Sequence, residues 1–188
     1  VYSAPIAVDD NDTVYARGTD AVGNVSNVTS LTVNNIHKIA PVTMATLSPA
    51  APNGNNSWYT TDVSVNLSVY ASEFGGMVTT EYQVNDGSWI TYTGSIPAFG
   101  EGTYKIGYRS KDQAGNVELL KTVEFKIDKT APTLTVQLDK TTLWPANHKM
   151  VSVNAALNSM DATSGVESVV LTSITCNEPD SGQGDIQN

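Results

Sequence analysis

The sequence has little of what several classes of protein depend on. It contains one cysteine, Cys176, so an intrachain disulfide and a zinc site built from several thiolates are both excluded. No run of 18 apolar residues occurs, and we therefore expect no transmembrane segment. The first residues, VYSAP, have neither a basic region nor an apolar core, so we expect any export signal to lie upstream of them.

Charge is also scarce and unevenly distributed between the two signs. Charged residues make up 15% of the chain, and 19 acidic residues outnumber 10 lysines and arginines, which gives a formal net charge of −9. A nucleic-acid backbone is bound through clustered basic side chains, so we expect no nucleic-acid partner. We interpret the acidic side chains as mainly solvated, with coordination of bound cations by some of them as the alternative.

Catalytic motifs are missing as well. Neither of the two histidines, His37 and His148, lies in a nucleophile motif, and no G-x-S-x-G, H-E-x-x-H or phosphate-loop pattern occurs. Asp180 and Asp185 lie in a glycine-punctuated segment that indicates a solvated loop rather than a pair of glycosidase acids. We therefore predict a chain without catalytic residues.

The pattern that is present is a two-residue alternation of apolar and polar side chains, which indicates β-strands. It runs through residues 62–69 and again through 104–109 and 122–127. Between these segments, the sequence EYQVNDGSWITY at residues 81–92 places Asn-Asp-Gly between two strand-like segments and predicts a hairpin. Together these segments predict a seven-stranded antiparallel β-sandwich with no α-helix longer than about three turns.

The same alternation predicts which side chains of the sandwich face inward. The predicted core consists of apolar residues from three strands, and the polar residues between them are predicted to be exposed. The core residues are Val65, Leu67, Tyr104, Ile106, Tyr108, Val123 and Phe125, and the exposed ones are Ser64, Asn66, Lys105 and Glu124.

An internal repeat defines the predicted organisation of the chain. The sequence VYARGTDAVGNV at residues 14–25 returns as IGYRSKDQAGNV at residues 106–117, and each copy is followed by a similar linker, IHKIAP at 36–41 and IDKTAP at 127–132. We predict tandem modules: the closing hairpin of a truncated module at residues 1–36, a complete module at 37–129 and the N-terminal part of a further module at 130–188. We expect the hairpin at 1–36 to need neighbouring chain for order.

These residues carry a family resemblance. The segments EYQVNDGSW (81–89), DQAGN (112–116) and IDKTAP (127–132) resemble the immunoglobulin-like repeats of secreted bacterial multidomain hydrolases and adhesins. The segments LWPANHKM (143–150) and NEPDSGQGD (177–185) are similar to a second immunoglobulin-like module type found beside such repeats. The resemblance implies tandem immunoglobulin-like β-sandwiches in a secreted or cell-surface protein, with a spacer or accessory role and neighbouring modules as partners.

Aromatic residues support an alternative function. Flat aromatic side chains bind pyranose rings by apolar contact, so exposed tryptophans and tyrosines could make this chain a carbohydrate-binding accessory module with polysaccharide as its partner. Aromatics in sandwiches more often pack in the core, which is the competing interpretation. The residues concerned are Trp58, Trp89, Trp144, Tyr59, Tyr82 and Tyr92.

A calcium site is the remaining hypothesis. In an immunoglobulin-like sandwich the incoming linker and the loop after the second strand meet at one end, which would bring Asp128 and Asp161 together as oxygen ligands for Ca²⁺. In the central module His37 replaces the linker acid and the second-loop acid is at best Glu73, which weakens the case there. The alternative for Asp20 and Asp112 is that each carboxylate accepts backbone N–H groups in its own turn.

Overall fold

The described part of the chain consists of β-strands joined by turns and loops. The computed structural model describes residues 2–70, 76–142 and 149–175, and the helical structure within these ranges is limited to a three-residue turn at Asn55–Ser57. None of the described residues form a helix that is long and apolar enough to cross a membrane. The strands are β1 (Asp12–Ala16), β2 (Thr29–Val33), β3 (Val42–Ser48), β4 (Trp58–Tyr59), β5 (Ser64–Tyr70), β6 (Val78–Val84), β7 (Ile90–Thr91), β8 (Gly102–Asp112), β9 (Lys121–Ile127), β10 (Thr133–Leu138) and β11 (Ala155–Met160).

The strands form four sheets, an arrangement consistent with a β-sandwich. Strands β1 and β2 form one antiparallel pair and β10 and β11 another, while β3 pairs with β5. The largest sheet has five strands in the order β4-β9-β8-β6-β7. In it β4 runs parallel to β9, with Trp58 opposite Lys126, so the prediction of a wholly antiparallel sandwich was wrong for this pair. The two strands are far apart in sequence, and no hairpin turn between them imposes an antiparallel direction.

The hairpin predicted around residues 81–92 is confirmed. Strand β6 pairs with β7 in an antiparallel register that sets Tyr82 opposite Ile90. Asn85 and Asp86 adopt positive φ angles of 49° and 57°, the conformation that the tight hairpin turn needs and that these residue types tolerate. The N–H of Gly87 donates to the carbonyl of Val84 at 2.9 Å and closes the turn.

Most of the predicted burial pattern is also confirmed. Val65, Leu67, Ile106, Tyr108 and Phe125 are buried, and Ser64, Asn66 and Glu124 are exposed. The prediction was wrong for Tyr104, Val123 and Lys105, which are half-buried. The Tyr104 ring packs against Phe99 and Phe125 while its hydroxyl donates to the Glu101 carbonyl, and the Lys105 ammonium forms an ion pair with Asp86. Ten buried aliphatic and aromatic residues lie between Tyr59 and Ile127, and Pro41 is buried as well, whereas Leu31 in β2 and Val136 in β10 remain 72% and 57% exposed.

The chain divides into two compact units. One comprises Val1–Thr46, Asn66–Ser95 and Lys105–Val123, and the other comprises Leu47–Val65, Ile96–Tyr104 and Glu124–Asn188. The module limits predicted at residues 36–37 and 129–130 remain predictions.

A polar cluster is buried inside the first unit. The Ser110 hydroxyl, which is fully buried, lies 2.6 Å from the hydroxyl of Thr43 and 2.8 Å from that of Thr80. The buried Glu118 carboxylate accepts the N–H groups of Thr43, at 2.8 Å, and of Ser110, at 3.2 Å. Its charge is balanced by the ammonium of Lys121, which also donates to the Thr43 carbonyl at 2.9 Å. Because each buried polar atom in the cluster has a partner, the cluster ties β3 to β8 without an unsatisfied group.

The protonation of Glu118 follows from these contacts. Burial by itself would raise the pKa of its carboxyl, but hydrogen bonds from Lys121 and Thr43 outweigh burial and lower that pKa. The carboxylate therefore stays ionised at neutral pH and can accept both backbone N–H groups.

The second unit has an aromatic core. The Phe125 ring meets three others edge-on or tilted, at centroid distances of 6.5 Å to Tyr59, 5.3 Å to Phe99 and 5.4 Å to Tyr104. Ile127 beside them is fully buried. Edge-on aromatic pairs of this kind add about 0.5–1.5 kcal/mol beyond the burial of their surface.

We predict that Ile106→Ala destabilises the protein by about 2–5 kcal/mol, because Ile106 is fully buried and truncation leaves a cavity. The matched control is Ile90→Ala, at a position that is 47% exposed, with an expected effect within about 0.5 kcal/mol. Urea denaturation followed by tryptophan fluorescence measures both. Equal losses in the two variants would contradict the assignment of Ile106 to the core.

Candidate functional site

The first repeated turn is built around Asp20. Its carboxylate accepts the N–H of Val22 at 3.0 Å and the N–H of Asn24 at 2.8 Å, and the Asn24 side-chain amide donates to its other oxygen at 2.8 Å. Gly23 has a φ of +100°, a conformation that L side chains rarely adopt, and its N–H closes the turn on the Asp20 carbonyl at 3.2 Å. The turn hypothesis for Asp20 is confirmed.

The second copy repeats this geometry around Asp112. The N–H and the side-chain amide of Asn116 each donate to the Asp112 carboxylate at 2.8 Å, and Gly115 takes a φ of +95°. One contact is added: His37 Nε2 lies 3.4 Å from the carboxylate, while the Asn116 amide donates to the His37 carbonyl at 3.1 Å. Asp112 thus holds its own turn and also contacts the linker that precedes β3.

These hydrogen bonds set the acidity of the turn aspartates. The side-chain amide of Asn24 is the main cause of a lowered pKa in Asp20, and that of Asn116 is the main cause in Asp112. Donors that stabilise the ionised carboxylate favour it over the acid.

A third aspartate of the same kind was missed by the sequence reasoning. Asp139, directly after β10, accepts the N–H of Asn154 at 2.8 Å and its side-chain amide at 2.9 Å. These hydrogen bonds lower the pKa of Asp139. The two residues are 15 positions apart, so no local motif marks the pair, although an Asp at a strand end is a signal for such a role.

Asp128 lies in the linker that follows β9, and this linker is fixed at three successive residues. The N–H of Asp128 donates to the Tyr59 carbonyl at 2.9 Å, that of Lys129 to the Glu101 carboxylate at 3.0 Å, and that of Thr130 to the Asp128 carboxylate at 3.0 Å. The Thr130 hydroxyl also donates to Glu101. Asp128 itself is only 8% exposed.

The structure brings Asp128 and Asp161 together, as the calcium hypothesis required. Both carboxylates accept the same N–H, that of Ser164, at 3.0 Å and 2.9 Å respectively. One oxygen of Asp161 also accepts the N–H groups of Thr163 and Gly165, at 3.0 and 2.9 Å. The Ser164 side chain is the main cause of a lowered pKa in Asp128, followed by the Thr130 N–H.

These contacts supply hydrogen-bond donors where a cation would need open ligands. Calcium takes about six to eight oxygens, whereas the Asp161 oxygen described above already receives three N–H groups. Among residues 2–70, 76–142 and 149–175, no group of three or more His, Cys, Asp or Glu side chains is placed to hold a metal ion. The calcium site at Asp128 and Asp161 stays a prediction, and the observed role of both carboxylates is to bind backbone N–H groups.

The candidate aromatic residues have different surroundings. Tyr59 and Tyr82 are buried, and the Tyr92 hydroxyl donates to the Asn66 side chain at 2.7 Å. The guanidinium of Arg109 lies 4.2 Å above the Trp89 ring. Trp58 borders a cleft. Several predicted residues lie outside the described part of the chain: Glu73, Trp144, His148, Cys176, Asp180 and Asp185.

No family model matches the chain, and no curated protein matches it either.

We predict that Asp112 contributes stability that depends on pH. Because its folded-state pKa is lowered, its contribution is complete above the unfolded-state pKa of about 3.9 and is lost as pH falls through the lower folded-state value. The stability difference between wild type and Asp112→Asn should therefore shrink below about pH 4, as measured by urea denaturation at a series of pH values. Asp9→Asn, at an exposed position, is the control. A difference that does not change with pH would contradict the prediction.

We predict that Asp161→Ala lowers stability by about 1–2 kcal/mol in the presence of EDTA, because three backbone N–H groups lose their acceptor. Glu167→Ala, at an exposed position, should have little effect. Calorimetry with and without calcium separates the two roles of the acids. A melting temperature that rises with calcium in the wild type but not in Asp128→Ala would support the metal site. If Asp161→Ala is as stable as the wild type in EDTA, the hydrogen-bond role is contradicted.

Proposed function

We propose that this chain is a non-catalytic structural spacer made of tandem immunoglobulin-like modules. In this proposal it belongs to a secreted or cell-surface bacterial multidomain protein and positions a hydrolase or adhesive domain. The observation that carries the proposal is the linker at residues 128–130, where three successive backbone N–H groups have acceptors. A linker held in this way bends less than a solvated one, since each bend would break a hydrogen bond.

Side chains strengthen the same linker. The ammonium of Lys129 donates to the Asp62 carboxylate at 2.6 Å, and Glu101 accepts from both Lys129 and Thr130. Exposed ion pairs contribute little individually, so the backbone hydrogen bonds carry most of the restraint.

The earlier linker is held by different residues in a similar manner. The N–H of Ile36 donates to the Asn11 side chain at 2.8 Å, and Lys38 forms an ion pair with Asp10 at 2.9 Å. Between them, His37 contacts Asp112 and Asn116 of the repeated turn. Two linkers fixed by neighbouring loops support a string of modules with restrained joints.

The packing of Tyr59, Tyr82 and Trp89 argues against an exposed sugar-binding platform built from these three rings. Tyr59 and Tyr82 are only 2% and 7% exposed, and the guanidinium of Arg109 lies over the ring of Trp89. The sequence contains none of the catalytic motifs named above, which supports the non-catalytic part of the proposal.

A spacer predicts a narrow distribution of distances along the chain, which double electron–electron resonance measures directly. Spin labels attached through Ser68→Cys and Ser173→Cys, both at exposed positions, in a Cys176→Ser background should give one narrow distribution. Glu101→Ala should broaden it, because the linker loses the acceptor that Glu101 supplies.

Glu124→Ala is the matched control, since Glu124 is an exposed glutamate in β9 and should leave the width unchanged. A wild-type distribution as broad as that of a flexible chain of equal length would contradict the spacer proposal. Equal broadening by Glu124→Ala and Glu101→Ala would contradict the role given to the linker.

A further inference from the structure

A cleft in the second unit has the size of a small-ligand site. Its volume is about 410 Å³, and it is bordered on one side by the loop at residues 54–60 and on the other by Asp128, Thr130 and residues 164–167. Ligand-binding clefts in proteins commonly have volumes of about 300–1,000 Å³. The hydrogen bonds that hold the linker at residues 128–130 do not account for this cleft.

The loop on the first side is tightly constrained. The Gly54 N–H donates to the Trp58 carbonyl at 2.9 Å, and a Cβ on Gly54 would lie 2.9 Å from the Thr60 methyl group and 3.0 Å from that carbonyl. Asn56 and Ser57 follow each other at φ angles of 51° and 62°, which is uncommon for two successive residues other than glycine. Backbone held in such conformations concentrates at ligand-binding sites, where it presents side chains in a fixed arrangement.

Three of the polar side chains that border the cleft are not used by the fold. Within the described residues, no hydrogen bond engages the side-chain amides of Asn55 and Asn56 or the carboxylate of Glu167. The contrast with Asn53 in the same loop is direct, because its side chain accepts the Thr60 N–H at 2.8 Å. The loop therefore uses one asparagine for its own structure, whereas the two asparagines that border the cleft have no side-chain partner among the described residues.

Trp58 supplies an apolar surface among these groups. The residue is half-buried, and the ammonium of Lys126 lies 4.8 Å from its ring. Lys126 borders a different depression, together with Ser57, and does not line the cleft. The cation contacts the indole from a residue outside the cleft lining.

We propose that this cleft binds a segment of a neutral oligosaccharide, with a pyranose ring stacked on Trp58 and its hydroxyl groups hydrogen-bonded to Asn55, Asn56 and Glu167. An indole face matches the apolar C–H face of a sugar. Amide groups both donate to and accept from sugar hydroxyls, and a carboxylate accepts from them. The charged residues that border the cleft, Asp128 and Glu167, are both acidic, and the chain carries a net charge of −9, so an anionic polysaccharide would be repelled. This binding goes beyond the spacer function, which does not depend on it.

Isothermal titration calorimetry of the full chain with cellohexaose, maltohexaose, xylohexaose and chitohexaose tests the proposal. We expect at least one of these neutral probes to bind with a stoichiometry of one. Trp58→Ala should weaken that binding by about tenfold or more, because the stacking surface is lost. Polygalacturonate should not bind.

Trp89→Ala is the matched control, since Trp89 is also half-buried under a cationic side chain but does not border the cleft. It should leave the affinity unchanged. If Trp58→Ala fails to fold, the pair Asn55→Ala and Glu167→Ala, at exposed positions, carries the test, and each should weaken binding. The proposal would be overturned if none of the four probes bound, or if polygalacturonate bound equally tightly. It would also be overturned if Trp89→Ala lost as much affinity as Trp58→Ala, or if Asn55→Ala and Glu167→Ala both bound as tightly as wild type. None of these results bears on the distance measurement that tests the spacer.

Discussion

The hydrogen bond from a backbone N–H to an acidic side chain is the interaction on which the loops and linkers of this protein depend. A β-sheet satisfies its backbone through strand pairing, but turns and linkers leave N–H groups without partners. With no intrachain disulfide available, the described chain meets this need with carboxylates, as at Asp20, Asp112 and Asp161. The lowered pKa values of Asp20 and Asp112 follow from these bonds and keep the carboxylates ionised. Part of the negative charge of the chain is therefore structural.

Glu118 shows the same interaction in the core. A buried carboxylate is costly unless its lone pairs and its charge are both matched, and here two backbone N–H groups and the Lys121 ammonium supply the match. The hydroxyls of Thr43, Thr80 and Ser110 extend the cluster with short hydrogen bonds. Polar contacts of this type are directional, so they fix the position of β3 relative to β8 more tightly than apolar contacts alone.

The two proposed functions use neighbouring parts of the second unit that share Asp128. Restraint at residues 128–130 depends on the side of the linker that meets Tyr59 and Glu101. The proposed sugar-binding cleft uses Trp58 and the side chains of Asn55 and Asn56 in a constrained loop. Asp128 contributes to both, because its carboxylate organises Thr130 and Ser164 while also bordering the cleft. A module string with rigid joints would present such a cleft at a fixed position, which suits an accessory role in a larger protein.

The sequence by itself determined the features that depend on local geometry. Alternation places successive side chains on opposite faces of a strand, so it predicted the β-class and the burial of residues such as Val65 and Ile106. Turn chemistry predicted the Asn85-Asp86-Gly87 hairpin, and the repeat identified the turns at Asp20 and Asp112 as equivalent.

Only the tertiary structure decided what depends on residues distant in the chain. It made β4 parallel to β9, buried Glu118 in a segment whose sequence does not distinguish it from a surface acid, and set Asn154 against Asp139. It also distinguished the asparagine that holds its own loop from the two that border a cleft. A side chain's residue type fixes which bonds it can form, but the partner that reaches it is set by strand pairing across long stretches of sequence.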